Sequence, residues 1–323
     1  LKQVLFLDTV HPVLAGRLEA AGYRCHYDYT SNYQEVCAKL QAYSGIVIRS
    51  RLPIDAELIA AGGSLEFIAR SGSGLENIDL EAAAKKGIRV ISSPEGNRDA
   101  VAEHALGMLL MLFNKLSKAH AEVRQGIWDR EGNRGLELAG KTVGIIGYGQ
   151  TGAAFAKRLQ GFRCRIMAYD KYKKGFGSEL IAETSLAELQ TQADIISIHL
   201  PLSAETDYFV DRRFIDACAK PFYLLNTARG RHVNTADLVD ALEKGKIRGA
   251  CLDVLEYEKK SLENLDAENL PAAFSKLLAH PGVILTPHVA GWTVESYVKL
   301  SEVLADKILK ESDQVSRRWM YPL

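Results

Sequence analysis

The sequence predicts an α/β protein built on two doubly wound parallel sheets, and three observations predict it. Short apolar runs rich in Val, Ile, Leu and Phe alternate with longer amphipathic stretches, the pattern of βα units whose parallel strands are covered on both faces. These runs form two series separated by one long apolar segment with helical character. Finally, 323 residues exceed what one ordinary core encloses, so two domains are expected.

In the first series, strands are expected near residues 4–7, 25–27, 45–49, 67–70 and 89–91, each beside a helix-like segment. That suffices for one small doubly wound domain. The segment 97–124 (NRDAVAEHALGMLLMLFNKLSKAHAEVR) follows Pro94 and Gly96 and carries more apolar residues than one buried stripe requires. Two readings stay open for it: a linker helix packed on its own domain and on a second copy of the chain, or a fully internal helix. The second series places strands near 143–146, 165–169, 195–199, 223–226, 250–254 and 283–286, six in all, a complete dinucleotide-binding sheet. A last helix over 294–311 has no strand left to follow it in the second sheet and is assigned to the first domain.

Composition narrows the partners. Lys plus Arg and Asp plus Glu are 40 each, so there is no overall basic field to recruit nucleic acid or an anionic membrane surface. Small molecules and further copies of the chain are the expected partners. Cys25, Cys37, Cys164, Cys218 and Cys251 are scattered, odd in number and never spaced C-x-x-C, which argues against a disulfide framework and against a zinc site. A reducing, cytoplasmic location is expected, since the N-terminus lacks the long apolar stretch of a signal peptide and no run approaches membrane-spanning length. Leu1 stands where an initiating Met is usual, so the numbering is expected to begin a few residues into the chain.

The stretch KTVGIIGYGQTGAAFAKRL (141–159) puts an apolar strand directly before Gly147-x-Gly149-x-x-Gly152 and an Ala-rich amphipathic helix directly after it. In that context, Gly147 permits a tight turn and Gly149 lets the backbone approach a pyrophosphate. Gly152 lets the helix pack closely on the strand, with its N-terminus toward the phosphates. Asp170 ends the next strand, 18 residues after Gly152, where a carboxylate accepts from both ribose hydroxyls and repels a 2′-phosphate. NAD is therefore expected over NADP, although Lys171, Lys173 and Lys174 form a basic run that could accept a phosphate. The domain boundaries expected are 1–100 with 290–323 for a substrate-binding domain and 101–289 for the NAD-binding domain.

With a cofactor placed there, reacting groups belong on loops at the C-terminal ends of later strands. Three loops stand out: LLNTARG (224–230) with Arg229, GACLDVLEYEK (249–259) with Asp253, Glu256 and Glu258, and ILTPHVAGW (284–292) with His288. They provide an anion clamp, carboxylates and a proton carrier. On the two glycine-turn and loop series together, the chain resembles the D-isomer-specific 2-hydroxyacid dehydrogenase family. The motifs that carry the resemblance are SGSGLENIDL (71–80), NRDAVAEHALGMLL (97–110), the glycine turn, HLPLSAET (199–206), NTARG (226–230), CLDV (251–254) and TPHVAG (286–291). They lean toward its D-3-phosphoglycerate dehydrogenase branch.

The resemblance implies a Rossmann dinucleotide-binding domain plus a smaller flavodoxin-like substrate domain, NAD as cofactor, a 2-hydroxy or 2-oxo acid as substrate, and a homodimer formed through the helix after Asn97. It implies that Arg229 holds the substrate carboxylate and oxygen, that His288 exchanges a proton with that oxygen, and that Glu258 pairs with His288. Backbone amides around Ser73 and Gly74 would bind the substrate carboxylate. Cofactor-facing positions are Gln150 and Thr151 in the turn, His199, Pro201 and Thr206, Thr227 and Ala228, Asp253 and Gly291. Asp253 has a second reading as a turn cap, His199 as support for the loop 200–202, and His104 is read as a hydrogen-bonded core histidine. Trp292 is either a wall of the substrate pocket or hinge packing. The family usually has Pro after the glutamate, whereas this chain has Lys259 and Lys260, so Glu256 stays as the weaker alternative to Glu258.

Arg49, with Ser50 and Arg51, follows a strand and would suit a phosphate, which makes 3-phosphoglycerate and its 2-oxo acid the leading substrate pair. Hydroxypyruvate or glyoxylate reduction, which needs no phosphate clamp, is the alternative. A different class is a dinucleotide-sensing corepressor-like regulator, which one branch of the family provides; Arg229, Glu258 and His288 favour an enzyme. The chain ends soon after its last helix, so the regulatory extension of some phosphoglycerate dehydrogenases is not expected.

Overall fold

The computed structural model describes residues 1–258 and 270–320, with side chains through residue 310. Described residues 1–97 and 292–320 form one compact unit, and 98–258 with 270–291 form the other. The first unit opens with β1 (Gln3–Phe6), α1 (Val13–Ala20), β2 (Arg24–Tyr27), α2 (Tyr33–Lys39), β3 (Gly45–Ile48), α3 (Ala56–Ala61), β4 (Phe67–Arg70), α4 (Leu80–Lys85) and β5 (Arg89–Ser92). Its five strands are ordered β2-β1-β3-β4-β5 and all pair in parallel, the flavodoxin-like order. Alternate residues of each strand enter opposite cores, as a period of two requires. Leu5, Ile46 and Ile68 point to one face, and Val4, Phe6, Val47 and Phe67 to the other.

From this unit the chain enters α5 (Pro94–Phe113), α6 (Leu116–Arg124), β6 (Thr142–Ile146), α7 (Gln150–Leu159), β7 (Arg165–Tyr169), β8 (Ala182–Glu183) and α8 (Leu186–Gln192). There follow β9 (Ile195–Ile198), α9 (Arg212–Ala217), β10 (Phe222–Asn226), α10 (Thr235–Glu243), β11 (Ile247–Leu252), α11 (Ala272–Ala279) and β12 (Val283–Leu285). The second sheet runs β12-β11-β10-β9-β6-β7-β8, again all parallel. Counted within this unit, that is the Rossmann order with one strand added beyond the sixth. The sheet has seven strands where six were expected, because the two-residue β8 fills the third Rossmann position; two residues are too short to leave a hydrophobic run. One core takes Ile146, Ile196, Ile198, Leu224 and Leu252, and the other takes Val143, Ile145, Ile195, Leu225 and Phe155.

Two helix expectations need correction. The segment 97–124 is two helices, broken where Lys115 adopts a left-handed φ of 50°. The Phe113 carbonyl that the break orphans accepts the Leu136 N–H at 2.9 Å, so a return segment caps the helix end that propensity would have continued. The last helix, α12 (Val294–Met320), is longer than expected. It lays Leu304, Ala305 and Ile308 on the first unit's sheet, and its Lys307 pairs with Glu95 at 2.8 Å. No helix among the described residues is long and apolar enough to cross a membrane, and the five cysteines are free.

Helix starts are set by short polar side chains. Asn32, Asp55, Asp79, Ser185, Asp211 and Asn234 each accept a first-turn N–H. Helix α7 is different, since it starts at Gly149 with no side-chain cap. Its buried face rests on Phe155, which is fully enclosed in the core shared with β6. Phe155→Ala should therefore cost about 3–5 kcal/mol, read as a drop in the urea midpoint at unchanged slope.

Candidate active site

The site is best built from the switch point of the second sheet, where β6 and β9 part and their C-terminal ends leave a crevice. Gly147, just after β6, has φ +92°, and a Cβ there would lie 2.5 Å from the carbonyl oxygen of His199, just after β9. A Cβ on Gly152 would strike the Gly147 carbonyl, so that glycine sets how closely α7 approaches the strand. A Cβ on Gly149 would meet nothing within 4 Å. The space before α7 is open, and the helix presents its first N–H groups to it without a protein cap, which is the chemistry a pyrophosphate needs.

Asp170 follows β7 and faces the same turn. Its Oδ2 accepts from Tyr148 N at 2.8 Å, and its Oδ1 accepts from Lys173 N at 2.8 Å and Tyr172 N at 3.0 Å. Burial pushes its carboxyl pKa up, but those N–H donors and the Lys173 charge outweigh burial and hold it below the usual carboxylate range. An anion is thereby kept where ribose hydroxyls would arrive. The three lysines after it have partners of their own: Lys171 pairs with Glu205, Lys173 lies 5.2 Å from the Tyr148 ring centroid, and Lys174 donates to the Asp170 carbonyl at 3.1 Å. Tyr148 also stacks on Phe176 at 4.4 Å. The sequence reading passed over Tyr148 because an aromatic between two glycines has no period to mark it.

His199 is buried under the turn, with Nε2 2.9 Å from Ser197 Oγ and Nδ1 3.3 Å from Thr151 Oγ1. Burial pushes its pKa down to about 4, so the ring is neutral and links β9 to the start of α7. Pro201 accepts from Thr206 Oγ1 at 2.6 Å and lies 3.3 Å from His232 Nε2. Thr206 in turn accepts from Ser203 N at 2.9 Å. That bonding ties residues 201–206 into a compact loop at the cofactor edge.

Three loops at the ends of β10, β11 and β12 carry the remaining candidates. After β10, Ala228 N donates to Asn226 Oδ1 at 3.1 Å, and Asn226 Nδ2 donates to the Arg229 carbonyl at 2.8 Å. The strand's last residue thus folds the loop around itself and sends out a half-buried Arg229, whose guanidinium also donates to the Ala228 carbonyl at 2.6 Å. The Thr227 hydroxyl is buried without a partner among the described residues, available to a ligand. Gly230 was not singled out from the sequence, yet a Cβ there would collide with the backbone of Leu255 and lie 2.6 Å from Glu256 N. The missing side chain lets the Arg229 loop and the glutamate loop touch.

After β11, the two glutamates separate. Glu256 accepts from Tyr208 Oη at 2.7 Å and from Thr235 N at 2.9 Å, at the start of α10. It is therefore a structural acceptor, and the alternative that gave it the histidine falls away. Glu258 accepts from Leu255 N at 2.5 Å and reaches His288 Nδ1 at 2.7 Å. A carboxylate only accepts, so Nδ1 carries the hydrogen and Nε2 is left for an exchangeable proton. Lys259 and Lys260, which replace the family's usual Pro, lie outside the described residues.

His288 has φ 55°, a left-handed backbone that costs a non-glycine residue about 1–2 kcal/mol. Asp253 holds it there. Its carbonyl accepts from His288 N at 2.7 Å, its Oδ1 from Thr286 Oγ1 at 2.6 Å and Val289 N at 2.9 Å, and its Oδ2 from Ala290 N at 2.8 Å. Asp253 is 1% exposed, and its side chain braces the loop that ends at Gly291. Thr286 gives its hydroxyl hydrogen to Asp253 and so accepts from His104 Nε2, 3.0 Å away. His104 is hydrogen-bonded, as expected, and ties α5 to the His288 loop.

In the first unit, the expected pair of cations divides. Arg51 donates to the carbonyls of Leu7, Ser31 and Asp28 at 2.8, 2.7 and 3.1 Å, which makes it an internal brace. Arg49 N donates to Asp8 Oδ2 at 2.5 Å, and its guanidinium lies 4.1 Å from the centroid of Trp292. Trp292 is 56% exposed, so it supports Arg49 instead of filling a core. Ser73 Oγ donates to Asn97 Oδ1 at 2.8 Å. Among the described residues, the N–H groups of Ser73 and Gly74 make no backbone hydrogen bond, two donors suited to a carboxylate.

One consequence concerns acid. His199 is neutral when folded but protonates near 6.5 when unfolded, so its contribution is intact above pH 6.5 and is lost as the pH falls toward 4. The loss should reach about 3 kcal/mol. Urea unfolding at pH 7 and pH 4.5 should show His199→Gln losing less stability than the parent by most of that amount; equal losses would contradict a buried neutral ring.

Comparison with known proteins places this arrangement. Residues 106–290 match the family model described as D-isomer specific 2-hydroxyacid dehydrogenase, NAD binding domain. The chain is 34% identical over 279 residues to a D-3-phosphoglycerate dehydrogenase of Archaeoglobus fulgidus, covering 85% of this chain and 51% of that protein. It is 35% identical over 267 residues to a hydroxypyruvate reductase of Thermotoga maritima, covering 82% of this chain and 84% of that protein. It thus spans about half the length of the first relative and most of the second. The solved structure of a D-lactate dehydrogenase from Aquifex aeolicus, complexed with NAD and lactic acid, superposes with a TM-score of 0.81 at 27% identity, covering 98% of this chain and 97% of that one. On the family match and these identities, the chain belongs to the D-isomer specific 2-hydroxyacid dehydrogenase family, and residues 106–290 are its NAD-binding domain.

Proposed function

We propose that this chain is an NAD-dependent D-2-hydroxyacid dehydrogenase. The observation that carries the reading is the Glu258–His288 pair at 2.7 Å, held at the C-terminal edge of a sheet whose glycine turn is open to a dinucleotide. We assign substrate binding to residues 1–97 and 292–320 and cofactor binding to 98–291. A bound nicotinamide supplies or takes the hydride. In the reducing direction, negative charge grows on the substrate oxygen as hydride reaches the carbonyl carbon. The Arg229 guanidinium stabilises that charge, and a proton on His288 Nε2 completes the hydroxyl. Glu258 orients the ring, while the Ser73 and Gly74 amides suit the substrate carboxylate. Asp170, ionised beside the ribose position, supports NAD over NADP.

The leading substrate pair is 3-phosphoglycerate and its 2-oxo acid, supported by the relatives and by Arg49. A second reading, reduction of hydroxypyruvate or glyoxylate, draws support from Arg51, which is spent on three carbonyls and leaves one arginine where a phosphate would want more. Steady-state oxidation of NADH and NADPH with phosphohydroxypyruvate, hydroxypyruvate, glyoxylate and pyruvate separates the two. His288→Ala should lower kcat by roughly 10²–10⁴ with little change in NADH affinity, and Glu258→Gln should lower it less. NADH binding with no turnover on any of the four acids would instead favour a dinucleotide-sensing regulator.

We also place the protein in a reducing compartment such as the cytoplasm, supported by five free cysteines, and read it as a homodimer. Exposed Leu116, Val123, Ile127 and Trp128 on and after α6 support the dimer. Light scattering should find a dimer whose association Trp128→Glu weakens; a monomeric parent would refute this reading.

A further inference from the structure

The glycine turn lacks a cation of its own. Its exposed helix-start position is Gln150, a neutral amide, and α7 opens without a side-chain cap. Lys173, in the loop after β7, donates to the Tyr148 carbonyl at 3.3 Å, and a second positive charge comes from a different element. Arg98, in the first turns of α5, is half-buried and donates from its guanidinium to Gln150 Oε1 at 2.5 Å. Among the described residues that amide is its partner, and no carboxylate there pairs with the guanidinium. Its neighbour on α5 behaves otherwise: Asp99 and Glu103 clasp Arg158 near the end of α7 at 2.9 and 3.1 Å. This clasp holds α5 against α7, and Arg98 is left at the opposite, N-terminal end of α7.

A guanidinium held by a neutral acceptor keeps its charge and most of its five donors for another ligand. The space it borders is the open ground before Gly149, where a Cβ would meet nothing within 4 Å. A diphosphate there would receive the helix N–H groups from below and a charged fork from the side.

We propose that Arg98, reaching across from α5, is the cation that binds the cofactor's pyrophosphate, and that Gln150 positions it. The proposal rests on the cofactor reading above. It adds a binding residue outside the glycine motif and makes Gln150 a guide for the arginine.

The test is a binding series on the full chain by calorimetry, with NADH, ADP-ribose and adenosine as ligands. Arg98→Gln should weaken NADH and ADP-ribose equally, by roughly ten- to a hundredfold, and leave adenosine, which has no phosphate, unchanged. Arg98→Lys should recover part of the loss, and the affinity of Arg98→Gln for ADP-ribose should depend less steeply on salt than the parent's. Gln150→Ala, which keeps the charge, should cost only a few-fold. Unchanged ADP-ribose affinity in Arg98→Gln overturns the proposal, and so does an equal loss for adenosine, which would signal a disturbed fold. A loss from Gln150→Ala as large as that from Arg98→Gln overturns it as well, since the contact would then belong to the amide. The two readings fail separately. ADP-ribose binding that depends on Arg98, with no turnover on any 2-oxo acid, sinks the dehydrogenase and leaves Arg98 in place. Normal turnover with Arg98-independent ADP-ribose binding does the reverse.

Discussion

The carboxylate of Asp253 is the interaction on which the candidate site depends. Buried almost completely, it would be costly to leave ionised without partners, and it has three side-chain and backbone donors from one short loop. Those bonds, with the Asp253 carbonyl accepting from His288 N, compensate a left-handed histidine that would relax if the loop were free. A His288 ring turned by even a rotamer would lose Glu258. The buried acid thus sets the aim of the half-buried histidine.

A second constraint is steric and lies in glycines. Gly152 lets α7 close on β6, and Gly230 lets the loop after β10 meet the loop after β11. The first brings helix N–H groups to the cofactor edge, and the second brings the Arg229 loop against the segment that leads to Glu258. Both act through absent atoms, and a methyl group at either place would push backbone against backbone, where no rotamer change can relieve the clash.

Charges around the turn are sorted by whether they find partners. Lys171, Lys173 and Lys174 looked from the sequence like a possible phosphate site, but each is engaged by Glu205, Tyr148 or the Asp170 backbone. Arg51 is likewise turned inward, while Arg49 lies on Trp292. Proximity along the chain suggests such clusters, and only the fold decides which members remain available to a ligand.

The sequence by itself determined the α/β class, the parallel strands, the glycine turn with Asp170 and the family, because these rest on short-range periods and spacings that survive in a linear string. It also marked Arg229, Glu258 and His288, through motifs at the ends of apolar runs. What it left open turned on pairings across long separations. The choice between Glu256 and Glu258 waited on Tyr208 and Thr235 claiming the former, and Asp253 became a brace only once β11 and β12 set it beside residues 286–290. The break after Phe113 needed Leu136, and the partner of Gln150 had to arrive from α5, 52 residues earlier. Local patterning names the groups that can do chemistry, whereas burial and hydrogen bonding between distant segments decide which way each one faces.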